Sequence, residues 1–433
     1  MTLSRFGFLS TLVLILLTLP AAAFAAGPPT YDLYAAPAPL GQSAGEPSLG
    51  INWNSGNVMY IAGLETLRVT FNDSVVPATA GWQDVSFITT GITTLDPILF
   101  TDSQTGRTFV AQLAGPASLM AYTDDDGANW LPSTSGLLTG VDHQTVGGGP
   151  LAPGLPGIGY SHAVYYCSQG IALASCALSL NGGLTFNPPS PLYTLLQCGG
   201  LHGHVKVAPD GTAYVPNKSC GTNQAVVVST NNGLTWTVRK VPGSTSGGSD
   251  PAVGLASDGT AYFGFVGADG HARAAVSHDR GAHWTSPQDV GAAFGIQNAA
   301  FPSIVAGDPD RASFAFLGTP TGGNGTGSDA SFPGVWHLYV ATTTNGGSTW
   351  TTVDATPGDP VQRGSICLEG TTCGASRNLL DFMDIGVDAE GRVLVGFADG
   401  CVGTCVSSGP NSGAAIGTIA RQSGGSRLFA AFD

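Results

Sequence analysis

Short apolar segments alternate with tight polar turns through most of the chain. In each unit an apolar run rich in β-branched or aromatic residues is followed by a polar turn, often Asp-Gly or Gly-Arg, and then by a second apolar run. Such turns favour β-hairpins, and the flanking residues are typical of strands. Helix-period apolar patterns are almost absent, so the sequence predicts an all-β protein. These hairpin units span 97–110, 204–215, 252–263, 303–314 and 383–394.

A second motif, Ser/Thr-x-Asp/Asn-x-Gly-x-x-aromatic, recurs five times between the hairpins. The side-chain oxygens at its first and third positions can accept hydrogen bonds from the backbone N–H groups of a tight turn. The glycine can adopt a positive φ without a steric clash, and the aromatic residue can fill apolar space between units. We therefore expect the motif to be structural. The copies span 123–130, 179–186, 229–236, 277–284 and 343–350.

This motif resembles the Asp-box, or BNR repeat, of sialidase-like β-propellers. A hairpin, a third strand, the motif turn and a final strand make four antiparallel strands per unit, and the spacing of 48 to 66 residues between copies suits such a blade. Two further units without a clean motif precede and follow the five copies. We therefore predict a seven-bladed β-propeller. Six blades with 28–90 as an N-terminal cap is the alternative.

The N-terminal segment 1–26 has the pattern of a secretory signal peptide, with Arg5, an apolar run at 6–19 and Ala-Phe-Ala at 23–25. We expect cleavage and one secreted, monomeric domain at 27–433, with an uncleaved anchor as the alternative. No later stretch is long and apolar enough to span a bilayer. The net charge of −14 with only 15 Lys and Arg residues argues against a nucleic-acid partner.

Eight cysteines in an exported chain predict disulfides rather than thiol chemistry. Spacing alone allows on the order of a hundred pairings, but local context favours sequential ones. Cys198 and Cys220, for example, flank a strand–turn–strand unit and should meet at its open end. For Cys401 and Cys405, a zinc site is the alternative. The other expected pairs are Cys167–Cys176, Cys367–Cys373 and Cys401–Cys405.

Polar or acidic residues stand where the first strand of every predicted blade begins. In a propeller these strands line the central channel, and their starts share one face, so we expect the side chains to converge on one funnel. Several carboxylates and imidazoles in one cleft would shift one another's pKa values, a common mark of a functional site. The residues are Glu46, Asp96, Asp142, His143, Gln144, His202, His204, Asp250, Asn298, Asp381 and Asp384.

Three interpretations of this ring remain open. Its side chains can cap backbone N–H groups at the strand starts, which alone explains the recurrence. They can bind a divalent cation, either through His143, His202 and His204 with Asp142 or, for a structural Ca²⁺, through carboxylates alone. No other cofactor is expected. The third interpretation is that the ring binds or hydrolyses a glycan.

For the glycan interpretation, paired carboxylates act as acid and base or position sugar hydroxyls. We expect an extracellular carbohydrate or a glycosylated partner to bind in the funnel, with glycoside hydrolysis as the alternative. The candidate catalytic residues are Asp142, Asp250, Asp381 and Asp384. The candidate binding residues are Glu46, Asp96, His143, Gln144, His202, His204, Arg273, Arg363 and Arg377.

The resemblance to sialidases implies an arginine triad for the substrate carboxylate, a Tyr nucleophile paired with a Glu, and an Asp acid/base. The first arginine of that family lies in an Arg-Ile-Pro-type motif before the first blade. The corresponding stretch here, 45–51, carries Glu46 instead. Arg68, together with the three arginines named above, lies on segments that could reach the funnel, which leaves open a differently built anion clamp.

Overall fold

The computed structural model describes residues 1–2, 27–88, 96–115, 117–133, 138–140, 142–329 and 331–433. In this part of the chain, seven small antiparallel sheets of four main strands form a ring, which is a seven-bladed β-propeller. The predicted fold is confirmed. The six-bladed alternative is wrong, because residues 48–84 form a complete blade rather than a cap.

Strand β1 (Thr30–Ala35) is the outer strand of the last blade. In every other blade the strands are consecutive in the chain. Blade 1 contains β2 (Ser48–Ile51), β3 (Val58–Ala62), β4 (Glu65–Asn72) and β5 (Thr79–Asp84). Blade 2 contains β6 (Pro97–Thr101), β7 (Thr108–Leu113), β8 (Ala117–Thr123), β9 (Leu131–Pro132) and β10 (Leu138–Thr139). Blade 3 contains β11 (Asp142–Pro150), β12 (His162–Gln169), β13 (Ala174–Ser179) and β14 (Ser190–Pro191). Blade 4 contains β15 (Gly199–His202), β16 (Lys206–Val207), β17 (Ala213–Cys220), β18 (Asn223–Ser229) and β19 (Thr237–Lys240).

The remaining blades follow the same plan. Blade 5 contains β20 (Ala252–Leu255), β21 (Ala261–Val266), β22 (Ala272–Ser277) and β23 (Gln288–Asp289). Blade 6 contains β24 (Asn298–Ala306), β25 (Ala312–Thr319), β26 (Val335–Thr343), β27 (Thr351–Asp354) and β28 (Gln362–Arg363). Blade 7 contains β29 (Asp384–Val387), β30 (Val393–Asp399), β31 (Ile416–Gly424) and β1. The helical elements are α1 (Thr404–Ser407) and 3-10 turns at Ala292–Phe294, Gly370–Thr372, Ala375–Arg377 and Ala430–Phe432.

Blade 7 is assembled from both ends of the described chain. Strand β1 pairs antiparallel with β31, so that Leu33 lies opposite Ala420 and Ala35 opposite Thr418. The pairing closes the ring, because the outer strand supplied by the N-terminal segment completes the sheet whose inner strand is β29. The sequence reasoning did not foresee this contribution. Nearly four hundred residues separate the two strands, and no local pattern encodes their register.

The inner strands pack closely around the central axis. A Cβ atom at Gly147 of β11 would lie 2.3 Å from the backbone oxygen of Val205, at the start of the next blade's inner edge. At Gly254 of β20 it would lie 3.0 Å from backbone atoms of Val305 in β24. Glycine is therefore required at these positions for adjacent blades to approach.

The repeated motif forms the same turn in all five copies, between the third and fourth strands of blades 2 to 6. In the third copy the Ser229 hydroxyl oxygen accepts a hydrogen bond from Gly233 N at 2.9 Å. The Asn231 Oδ1 atom accepts one from Thr235 N at 3.0 Å. Trp236 packs edge-on against Tyr165 of the preceding blade, with ring centroids 6.2 Å apart. The motif thus stabilises turns and joins neighbouring blades.

The four expected disulfides are present. They join Cys167 to Cys176, Cys198 to Cys220, Cys367 to Cys373 and Cys401 to Cys405. The zinc alternative for Cys401 and Cys405 is wrong, because their sulfurs are bonded to each other. No helix in the described part of the chain is long and apolar enough to cross a membrane. The apolar core of the predicted signal peptide lies outside the described residues, so its cleavage stays a prediction.

Removing one turn hydroxyl should destabilise the propeller measurably. Ser229→Ala deletes the acceptor for Gly233 N and the donor to Asn231, and we expect a loss of about 1 kcal/mol, the net contribution of such bonds when buried. Chemical denaturation followed by tryptophan fluorescence measures this. Thr222→Ala, at an exposed position outside the motif, is the matched control and should leave the midpoint unchanged. Equal stability of the two variants would contradict the role assigned to the turn.

Candidate functional site

Six of the predicted residues, from five blades or the segments that precede their inner strands, meet at one end of the channel. We call them, with two cations that join them, the funnel cluster. Its members are Glu46, Asp96, Asp142, His143, Asp250 and Asp381, together with Arg377 and Lys218. The convergence follows from the shared phase of the blades, because each inner strand begins at the same face of the ring.

His143 connects three blades at the centre of the cluster. Its Nδ1 atom lies 2.5 Å from Asp250 Oδ2, and its backbone N–H donates to Asp96 Oδ2 at 3.1 Å. The backbone is left-handed here, with φ 45°, a conformation that costs energy for a non-glycine residue and is concentrated at functional sites. Although burial opposes charging, the carboxylates of Asp250, Asp142 and Asp381 raise the pKa of His143 to about 10. The imidazole is therefore a cation at neutral pH.

Glu46 occupies the position where the sialidase resemblance implies an arginine. The residue is only 3% exposed, its φ is 56°, and its carboxyl group lies beside that of Asp381. Burial, and then the charges of Asp96 and Asp381, raise the pKa of Glu46 well above its ordinary value. Its Oε2 atom is buried without a hydrogen-bond partner among the described residues.

A second carboxyl pair, Asp96 with Asp142, lies beside the first. Burial together with the charge of Asp142 raises the pKa of Asp96 to about 6. In both pairs, burial and the nearby like charge oppose ionisation of one member, Glu46 or Asp96. The cluster therefore contains groups that donate hydrogen bonds and groups that accept them, side by side.

Arg377 is the one predicted arginine that reaches the cluster. It holds Asp381 with two hydrogen bonds of 2.6 Å each. Arg273 instead pairs with Asp269, and Arg363 donates to the carbonyls of Cys405 and Val406. Arg68 donates to the Asp126 carbonyl in a repeated turn, which places it at the opposite face. These four arginines therefore do not assemble into one anion clamp.

Four other predicted residues lie in the channel wall. Gln144 donates to the carbonyls of Asp96 and Ala111. Asp384 accepts the backbone N–H groups of Leu49 at 3.2 Å and of Ile385 at 2.9 Å. Both residues are buried. These contacts are capping contacts, in which a side chain forms hydrogen bonds with backbone groups near the start of a strand.

The two histidines of blade 4 lie beside them, His202 buried and His204 half-buried. Burial lowers the pKa of His204 to about 4, and its ring packs edge-on against Phe382 at 4.8 Å. His202 Nδ1 bonds the Gly203 carbonyl oxygen, while its Nε2 has no hydrogen-bond partner among the described residues. Burial lowers the pKa of His202 as well. Together with Asp384 they border a channel cavity of about 40 Å³.

The metal interpretation finds no ligand set in the described residues. No group of three or more His, Cys, Asp or Glu side chains there is placed to hold a metal ion. His143 is engaged by Asp250, and His204 faces Phe382.

Two parts of this face were missed from the sequence. Lys218, on β17, approaches Asp250 Oδ1 at 3.6 Å. A polar groove of about 520 Å³ lies between the loops of blades 5 and 6 and is lined by glycine-rich backbone at 246–248, 267–270 and 322–324. We call it the blade 5–6 groove. Its side chains are mostly amides, hydroxyls and one carboxylate: Asp269, Gln297, Asn298, Asn324, Thr326 and Ser246. Only the glycine-rich composition of these loops signalled it.

No protein-family model matches the chain, and no curated protein matches it. Among solved structures it is similar to YCF48 bound to D1 peptide, at 11% identity and a TM-score of 0.48, over 92% of this chain and 96% of that one. It is similar to the Niastella koreensis GH74 enzyme at 16% identity and a TM-score of 0.48, over 86% of this chain and 54% of that one. The chain thus spans about half of that enzyme's length.

A third similar structure is the Hadza microbial sialidase Hz136, at 15% identity and a TM-score of 0.40, over 87% of this chain and 65% of that one. Likenesses at these identities and TM-scores carry no conclusion about what this chain does. The propeller is established by its own seven sheets, and its function has to be argued from the funnel.

The raised pKa of Glu46 predicts a pH-dependent loss of stability. A carboxyl group whose pKa is higher in the folded state binds its proton more tightly there, so its contribution is complete below the unfolded pKa and is lost as the pH rises through the folded pKa. Glu46→Gln stays neutral at every pH. We therefore expect the melting temperature of the variant to exceed that of the wild type increasingly as the pH rises above 4.5.

Differential scanning fluorimetry between pH 4 and 9 measures the difference. Glu369→Gln, at an exposed position, is the control and should follow the wild-type curve. A constant offset for Glu46→Gln, independent of pH, would show that Glu46 is ionised in the folded protein.

Proposed function

We propose that this propeller binds an extracellular glycan, or a glycosylated partner, on the face that carries the funnel cluster. The observation that carries the proposal is the cluster itself, in which carboxyl pairs, an imidazolium and an arginine are fixed by mutual contacts at the mouth of the channel. Such a set offers both donors and acceptors in fixed positions, which is what orients a polyhydroxylated ligand.

The blade 5–6 groove supports an extended rather than a point-like ligand. Its volume of about 520 Å³ falls within the range of roughly 300–1,000 Å³ that is usual for small-molecule sites. Its amide and hydroxyl side chains suit sugar hydroxyl groups. The groove lies on the same face as the funnel, because its walls are loops that join the second and third strands of blades 5 and 6. A glycan chain would occupy the groove with one residue at the cluster.

Glycoside hydrolysis is the second candidate, and one observation favours it. Burial and neighbouring carboxylates raise the pKa of Glu46, whereas the pKa of Asp250 is lowered because His143 and Lys218 outweigh its burial. Environments that push two carboxyl pKa values apart are how acid and base roles are assigned. Against it, hydrolysis requires two carboxyl groups about 5 Å or roughly 6.5–9.5 Å apart across an open cleft, whereas Glu46 is buried. Binding is therefore the first choice.

Binding should depend on the clamp between Arg377 and Asp381. Asp381→Asn removes one charge and frees the guanidinium, and we expect affinity for an immobilised glycan to fall at least about tenfold, which is about 1.4 kcal/mol. A panel of neutral and sialylated oligosaccharides, followed by calorimetry with those retained, measures it. Asp258→Asn, in the exposed hairpin turn at the far end of β20, is the control and should bind normally. Retention of no glycan by the wild type would refute the proposal.

The hydrolase candidate has its own test. Purified protein should be incubated with fluorogenic sialosides and neutral glycosides at pH 4 to 8, and the assay repeated with Glu46→Gln and Asp250→Asn. If the pair works as acid and base, each variant should lower kcat by a factor on the order of a hundred or more, the usual contribution of such a group. Zero turnover by the wild type leaves binding as the only function proposed for this face.

A further inference from the structure

The opposite end of the channel opens into a second cavity, of about 400 Å³, which we call the lower chamber. It lies where the inner strands finish, on the side of the repeated turns, and shares no residue with the funnel cluster. The side chains that give it its chemistry are Trp53, Phe100, Asp102, Gln104, His162 and Phe429. Neither the glycan proposal nor the repeated motif uses this set.

A histidine in the chamber wall is fixed by a buried carboxylate. His162 Nδ1 lies 2.6 Å from Asp102 Oδ2, and that carboxylate also accepts the Tyr160 hydroxyl at 2.7 Å. Its other oxygen accepts the backbone N–H groups of Gln104 and Thr105. Asp102, only 4% exposed, is thus saturated by the protein. It does not need a ligand and serves to orient the histidine.

This arrangement leaves one ring nitrogen of His162 for another group. The residue is 9% exposed, and because its Nδ1–H donates to Asp102, the Nε2 atom is the ring nitrogen that remains for a ligand. No hydrogen bond joins Nε2 to any group in the part of the chain that the structure describes. A ligand hydroxyl would satisfy it.

Aromatic side chains form the walls around that acceptor. The Trp53 indole donates to the Val387 carbonyl at 2.9 Å and packs edge-on against Phe429, with ring centroids 5.7 Å apart. Phe100 stacks on Phe109. Trp53, Phe100 and Phe429 are all partly exposed while lining the chamber. Such surfaces suit the flat apolar faces of a ring-shaped ligand.

The charges around the chamber select against ions. No lysine or arginine is among the described residues that line it, so an anion would be desolvated without a counter-charge. The one carboxylate is already occupied, so a cation gains no free partner either. Gln104, at an exposed position at the rim, adds an amide. A neutral molecule with hydrogen-bonding groups is the chemistry that fits.

We propose that the lower chamber is a second binding site, for an uncharged ring molecule with at least one hydroxyl group. The ring lies between Trp53, Phe100 and Phe429, and its hydroxyl donates to His162 Nε2. Both a hexose and a phenol have this chemistry. The site is distinct from the funnel, because no residue that lines the chamber belongs to the funnel cluster.

Saturation-transfer difference NMR on the full chain tests the proposal, with methyl β-glucopyranoside and phenol in separate samples. We expect transfer to at least one of the two, and which one responds identifies the ligand as saccharide or phenolic. Ser257→Arg places a long side chain at the mouth of the chamber from an exposed position, and should abolish the transfer. Ser348→Arg, the same change at an exposed site in a repeated turn outside the chamber, should retain it.

Further variants separate this site from the funnel. His162→Asn should reduce the transfer at least fivefold. Because this change also leaves Asp102 with a weaker partner, circular dichroism checks that the variant is folded. Ser257→Arg leaves the contact between His162 and Asp102 in place. The part of the transfer that Ser257→Arg removes should persist in Asp381→Asn, a change in the funnel. Absence of transfer to both ligands, transfer that Ser257→Arg leaves at its wild-type level, or loss of that part in Asp381→Asn would each overturn the proposal.

Discussion

Close packing of seven inner strands around one axis is the constraint from which the chemistry of this protein follows. Adjacent inner strands approach until a Cβ atom at Gly147 would collide with the Val205 carbonyl. With the strands this near, the residues at their starts have little room to separate. Acidic groups that are remote in sequence are therefore brought into contact. Burial and mutual repulsion raise the pKa values of Glu46 and Asp96, and the positive charge on His143 offsets part of this repulsion.

The funnel cluster is thus a compromise between geometry and charge. His143 and Glu46 both adopt a left-handed backbone, and both place a titratable side chain at the centre of the mouth. In a protein in which capping was the only requirement, smaller polar residues would serve without this strain. Asp384, by contrast, caps the backbone N–H groups of Leu49 and Ile385, so the two roles are separate within one ring of residues.

Local features of the sequence predicted the architecture well, but they did not predict the contacts between residues of different blades. The repeated turn could be derived from Ser229 to Trp236 alone, because the hydrogen bonds that close it join residues at most four apart. The convergence of the acids followed from the phase of the blades. Which acid meets which base could not be read, since His143 and Asp250 come from different blades. The sequence did not predict the lower chamber, because the chamber is built from strand ends, where no pattern repeats.

The two chain ends share blade 7, since β1 and β31 lie side by side in a single sheet. As a result no blade is distinguished in space as the first blade, and only the order of synthesis defines one. A linker that joined the present ends would let new ones be cut in an exposed turn between other strands, and the same seven sheets would still close. The molecule is in this sense a circular scaffold, whose two faces do not depend on where translation begins.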